Sequence, residues 1–149
     1  MGSFSIELEI GRNARDVFAI LSDVNAMPLW YEAVKQVVAL TPGATELDAR
    51  FEVRRTLPGG PVVNEVAVTE FVPDESFTVE SVSGPTPFRY RYTLEPAAMA
   101  GKTRLQLEGR ITGEGLPGPL SHIDVVVTQL FKRGMGDNLR KLKQLIEAS

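Results

Sequence analysis

Phe88, Tyr90 and Tyr92 alternate with Arg89 and Arg91, a period of two that puts three rings on one face of a strand and two guanidinium groups on the other. Two of those rings carry a phenol, which inside an apolar wall can donate to a ligand oxygen or move a proton. The same stripe would equally serve as plain core filling. Ser121, His122 and Asp124 crowd together like the parts of a hydrolase, but neighbouring residues on a helix point in different directions, so nucleophile and base cannot meet. His122 reads as an exposed or capping residue near a helix start, with a place beside a cavity as its alternative. Gly113-Glu114-Gly115-Leu116-Pro117-Gly118 has the spacing of a dinucleotide fingerprint between a strand and a helix. A dinucleotide fold needs a parallel strand after that helix, and none follows here; Pro117 and Pro119 mark a loop and a helix entry. Lys132, Arg133, Arg140, Lys141 and Lys143, with the single acid Asp137 among them, read as the solvated face of a helix, favourably placed against its C-terminal dipole. Their alternative is a weak surface for anionic lipid headgroups.

Composition removes whole classes of chemistry. With no cysteine and one histidine, no thiolate nucleophile, disulfide or imidazole metal site can be assembled, so neither a metal nor another cofactor is expected. Sixteen Lys and Arg against nineteen Asp and Glu leave a net charge of −3, too little basicity for phosphate attraction, and nucleic acid is not an expected partner. No apolar run approaches the ~20 residues that span a bilayer, and no leader pattern is visible. The expectation is a cytoplasmic protein without stable membrane insertion, a monomer or weak homodimer. A chain of 149 residues, 43% hydrophobic and 23% charged, fits one domain over 1–149.

The elements that position these residues follow from periodicity. Phe4, Ile6, Leu8 and Ile10 alternate with polar residues as in a half-buried strand. Gly11 ends it. Asn13 stands where an N-cap belongs, ahead of Val17, Phe18 and Leu21 at helical spacing, and Asp23 opens a second short helical piece before Pro28. Strand periodicity then runs through 34–40, 49–56, 62–72, 77–82, 88–94 and 103–111, each segment closed by Pro, Gly or Asp turn chemistry, so consecutive strands should pair antiparallel. Finally Leu120, Ile123, Val127, Leu130, Phe131, Met135, Leu139, Leu142 and Ile146 recur at spacings of three and four, predicting a helix over 118–147. The predicted class is α+β: a curved seven-stranded antiparallel sheet wrapped around a long C-terminal helix, with two short helices after the first strand.

This order is that of the helix-grip fold. Asn13-Ala14-Arg15-Asp16-Val17-Phe18, Leu21-Ser22-Asp23 with Pro28-Leu29-Trp30, Val68-Thr69-Glu70-Phe71-Val72-Pro73 and Asn138-Leu139-Arg140-Lys141-Leu142-Lys143 together resemble the polyketide cyclase/dehydrase and lipid-transport family of the START-like superfamily. The resemblance implies a cavity between sheet and helix that holds a hydrophobic small molecule such as a lipid, polyketide or aromatic metabolite. Aligning Val72-Pro73-Asp74 with the similar turn of aromatase/cyclases puts Glu65, Ala67, Thr69 and Phe71 on the cavity side. The pocket arginine of those enzymes then falls at Phe71, their serine at Thr69 and a tyrosine at Val34, so an arginine is present only if Arg55 or Arg110 reaches in from another strand. The expected lining is Trp30, Phe51, Val53, Thr69, Phe71, Phe77, Phe88, Tyr90, Tyr92, Ile123, Val127 and Phe131. The alternatives are a cyclase or dehydratase using Tyr90 or Tyr92 with Glu65 as proton-transfer groups, and an interaction module with a filled core and no cavity.

Overall fold

The computed structural model of the chain describes residues 2–57, 59–112 and 124–149. Strand β1 (Gly2–Ile10) is followed by helix α1 (Ala14–Leu21) and a 3₁₀ helix (Val24–Leu29). Then come β2 (Val34–Ala39), β3 (Arg50–Leu57), β4 (Gly60–Val72), β5 (Ser76–Ser83), β6 (Phe88–Pro96), β7 (Thr103–Ile111) and helix α2 (Asp124–Glu147). All strands lie in one sheet, ordered β1-β7-β6-β5-β4-β3-β2, every pair antiparallel. The order follows from the short connections, which return each strand beside its predecessor; β1 closes on β7 at the far edge. The expected class and order of elements are those observed. Residues 113–123, with Ile123, His122 and the glycine-rich run, lie outside the described residues.

The local causes are legible. Asn13 caps α1, its Oδ1 accepting from the Asp16 N–H at 2.9 Å, and α1 buries Val17, Phe18 and Leu21. On β6, Phe88, Tyr90, Tyr92 and Leu94 are buried while Arg89 and Arg91 are only partly covered. Helix α2 lays Met135, Leu139, Leu142 and Ile146, each 0–1% exposed, onto the sheet. Its C-terminal end is tied to the turn after β1: the Glu147 carboxylate accepts from Gly11 N–H at 2.6 Å, and Arg12 donates to the Glu147 carbonyl at 3.1 Å. Near its other end Thr128 packs against Gly2 so closely that a Cβ there would stand 1.6 Å from Thr128 Oγ1. Between these two anchors the helix still exposes Val125, Val126 and Leu130.

Strand β4 corrects the expected parity. Asn64, Val66 and Val68 face the helix side, fully or almost fully buried. The register against β5 then slips between Val68 and Glu70, so Thr69 is a bulged, exposed residue and the next inward side chain is Phe71. Glu65 points to the outer face, where Arg50 Nη1 donates to its carboxylate at 2.7 Å. Glu65 and Thr69 are therefore not on the concave side; a single parity carried through 65–71 ignores the bulge, which exchanges inward and outward residues on either side of it.

Candidate functional site

The concave face divides into a filled part and an open part. Phe18, Phe71 and Phe77 form an edge-to-face cluster with centroids 5.3–6.4 Å apart, Phe77 stacks on Tyr92 at 6.1 Å, and Phe88 stacks on Tyr90 at 5.1 Å. These rings pack on one another. The open part is a cavity of about 780 Å³ where the first half of α2 stands off the end of β3 and the segment leading into β2. Its apolar wall is Ala33, Leu57, Val127, Leu130, Phe131 and Met135, and its exposed rim carries Glu32, Lys35, Asp137 and Lys141. Lys141 Nζ lies 3.1 Å from the Glu32 carboxylate and holds its pKa below the usual range. Asn138, 4% exposed, accepts from the Glu32 N–H at 3.0 Å through Oδ1, while among the described residues its Nδ2 donates to the thioether of Met135 at 3.5 Å, a weak acceptor.

Tyr31 forms the inner end of this cavity and also borders a second, almost filled gap of about 10 Å³ with Val53, Arg55, Val66, Phe88 and Tyr90. Arg55 is 2% exposed. Its presence inside follows from β3 alternation, since Phe51, Val53, Arg55 and Leu57 share one face. Its Nε and Nη2 donate to Asn64 Oδ1 at 3.0 and 2.6 Å, and Nη2 also donates to Thr86 Oγ1 at 2.6 Å and to the Pro85 carbonyl at 3.1 Å. The guanidinium lies 5.1 Å from the centroid of the Phe88 ring. Every one of these partners is neutral, and among the described residues Arg55 has no carboxylate in ion-pair range. Among the described residues Nη1, Trp30 Nε1, Tyr90 Oη and Tyr92 Oη have no partner in hydrogen-bond geometry, and Tyr31 interacts with both Arg55 and Tyr90.

The turn between β5 and β6 holds this arrangement. Gly84 has φ +103, and a Cβ there would stand 2.4 Å from the Val63 carbonyl, so only glycine fits. Thr86, fully buried with φ +48, is strained backbone kept in place by the bond from Arg55. Burial is the largest influence on the phenols and raises all three; Tyr90 and Tyr92 go well above their ordinary value, whereas for Tyr31 the charge of Arg55 works against the rise. Burial also lowers the pKa of Arg55, with Tyr31 and Tyr90 opposing it.

Of the residues expected to line a site, Val127 and Phe131 border the open cavity, and Val53, Phe88 and Tyr90 border the inner gap. Trp30, Phe51 and Tyr92 are buried near them, while Phe71 and Phe77 belong to the filled aromatic cluster. Glu65 and Thr69 are on the outer face. Tyr31, Leu57, Met135 and Asn138 were not anticipated; of these, Met135 stands on the helical stripe and Leu57 shares the parity of Phe51 and Val53, which are the signals that could have found them. Arg110 is exposed, and Arg55 is the arginine that reaches inside.

A sheet gripping one long helix, with a cavity where the two diverge, defines a START-like ligand-cavity fold. The chain belongs to the polyketide cyclase / dehydrase and lipid transport family, whose sequence model matches residues 1–147. No curated protein sequence matches it. Among solved structures it is similar to a START superfamily protein from Mycobacterium smegmatis, with a TM-score of 0.79 at 18% identity over 98% of this chain and 97% of that one. The Zhui aromatase/cyclase from Streptomyces sp. R1128 superposes with a TM-score of 0.80 at 12% identity, over 98% and 93% of the two chains. The di-domain aromatase/cyclase BexL gives 0.73 at 16% identity, over 99% of this chain and 47% of that one. At these identities the structural likeness establishes the fold. Among the described residues no helix is long and apolar enough to cross a membrane.

Proposed function

We propose that this protein holds a hydrophobic small molecule, as a carrier or sensor, in the cavity between the first half of α2, the end of β3 and Tyr31. The observation that carries the reading is the cavity itself: about 780 Å³ lies within the ~300–1,000 Å³ range of small-molecule sites, and an apolar wall with a few convergent polar groups is what such sites share. Leu57, Val127, Phe131 and Met135 would supply the contact area, Tyr31 and Asn138 the orientation. The family's description, which joins cyclisation, dehydration and lipid transport, supports the same ligand class. A proton-transfer enzyme built on Glu65 is less well supported, because that carboxylate is on the outer face beside Arg50.

Fluorescence titration with the neutral probe N-phenyl-1-naphthylamine tests the reading. Saturable enhancement is expected for the native protein. Leu130→Trp, which places an indole in the cavity from an exposed helix position, should weaken it about tenfold. A native protein that shows no saturable enhancement would overturn the proposal. Native mass spectrometry of the protein from its own host then identifies the ligand it carries.

A further inference from the structure

We infer that the apolar ligand carries an ionised oxygen acid, a carboxylate or a group of like charge, received at the Tyr31 end of the cavity by the donor cluster around Arg55. This deepens the reading above and rests on it. The cluster is one-sided. Arg55 Nη1 and the Nε1 of Trp30, whose ring lies 5.8 Å from that of Tyr31, are buried N–H groups that can only donate, and among the described residues neither has an acceptor in hydrogen-bond geometry. Among the described residues the hydroxyls of Tyr90 and Tyr92 are likewise buried without a partner in hydrogen-bond geometry, Tyr90 interacting with Tyr31. A buried guanidinium is normally matched by a carboxylate, since desolvating an unpaired charge is costly. Here the carbonyl of Pro85, the amide of Asn64 and the hydroxyl of Thr86 hold it, and none of them brings a negative charge.

The group that satisfies such a cluster is an acceptor with several lone pairs and a negative charge, which describes an ionised acid and not an alcohol, amine or ester. Tyr31 is where the ligand would meet it, because its side chain borders both the open cavity and the gap against Arg55 and Tyr90. Burial raises the pKa of Tyr31, and Arg55 and Tyr90 beside it work against that rise, so the hydroxyl stays protonated next to the buried charge. The interior gap of about 10 Å³ admits no more than about one oxygen atom beside Arg55, so one oxygen of the acid enters past Tyr31 while the body of the ligand occupies the larger space.

A matched pair of probes tests this. N-phenyl-1-naphthylamine and 8-anilino-1-naphthalenesulfonate share one aromatic skeleton, and only the second bears an anionic oxygen group. The native protein should bind the sulfonate about tenfold more tightly or better. Tyr31→Phe removes the hydroxyl that interacts with Arg55 and Tyr90 and that would donate to the anion, and should bring the ratio down at least about threefold; Arg55→Met should bring it close to one. Equal or weaker binding of the sulfonate by the native protein would overturn the inference and leave the cavity reading standing. So would a preference that survives Tyr31→Phe unchanged, which would place the sulfonate on the rim lysines. Failure of both probes to bind overturns the cavity reading first and the inference with it.

Discussion

Asn64 Oδ1 accepts two hydrogen bonds from one guanidinium, at 3.0 Å from Nε and 2.6 Å from Nη2 of Arg55, across adjacent strands β4 and β3. The amide nitrogen of Asn64 in turn donates to the carbonyls of Ser83 and Pro85 at 3.2 and 2.8 Å. One side chain therefore couples the buried charge to the β5–β6 turn. Asn64→Ala should cost about 2 kcal/mol of folding stability, because it strands the Nε–H of Arg55 and the Ser83 carbonyl, while Nη2 keeps Thr86 and Pro85. Urea unfolding followed by circular dichroism measures this. Asn64→Asp is the informative partner. It supplies the counter-charge Arg55 lacks, and the preference for the sulfonate probe over its neutral analogue should disappear in that variant.

The phenol of Tyr92 stacks its ring on Phe77 while its hydroxyl has no partner among the described residues. A buried hydroxyl without a hydrogen bond destabilises the fold, so Tyr92→Phe should raise the stability of the ligand-free protein by about 1 kcal/mol. The pH dependence has a definite sign. Burial raises the pKa of Tyr90 and Tyr92 well above the ordinary 10.0, so the native state keeps protons that the unfolded chain releases near pH 10. Stability from this source is complete below pH 10 and falls as the pH rises beyond it. Thermal melts between pH 8 and 11 should show the decline beginning near 10, and Tyr92→Phe should make it shallower.

Glu65 and Arg50 form an ion pair at 2.7 Å with side chains 36% and 47% exposed. Exposed pairs contribute little, roughly 0–1 kcal/mol. Glu65→Gln should therefore change stability by less than about 0.5 kcal/mol and leave the affinity for N-phenyl-1-naphthylamine unaltered. A loss of binding in this variant would mean that the carboxylate reaches the ligand, contrary to its position on the outer face.

The sheet, its order and the stripe of α2 were legible because each rests on short-range regularity: alternation in β1, β3 and β6, turn residues between strands, and three-four spacing from Val127 to Ile146. The site was only partly legible. The bulge at Thr69 depends on how β4 and β5 register against each other, which no feature of 62–72 alone expresses, and it turned Glu65 and Thr69 outward while leaving Phe71 in. Arg55 carries the inward parity of Phe51 and Val53, but a guanidinium is expected in water unless something inside receives it, and its receivers, Asn64 and the Pro85-Thr86 turn, are brought to it by the fold. Tyr31 follows the 3₁₀ helix in a corner without periodicity. The position of the cavity depends on where α2 leaves the sheet, hence on contacts such as Thr128 against Gly2, made between residues more than a hundred positions apart in the sequence.

Gly84 concentrates this long-range dependence in one residue. Its φ of +103 belongs to glycine, and a methyl group there would meet the Val63 carbonyl at 2.4 Å and Asn64 Nδ2 at 2.7 Å. Backbone cannot yield cheaply, so Gly84→Ala should destabilise the protein by more than about 2 kcal/mol. The effect should also reach ligand selectivity. Displacing Gly84 moves Pro85 and Thr86, whose carbonyl and hydroxyl hold Nη2 of Arg55, and the guanidinium then loses the orientation that leaves Nη1 free. Under conditions where the variant is still folded, its sulfonate preference should fall while its affinity for the neutral probe, held by Leu57, Val127 and Phe131 at the other end of the cavity, stays within about twofold of the native protein. Equal loss for both probes would instead mean that the turn supports the whole cavity and not the Arg55 end alone.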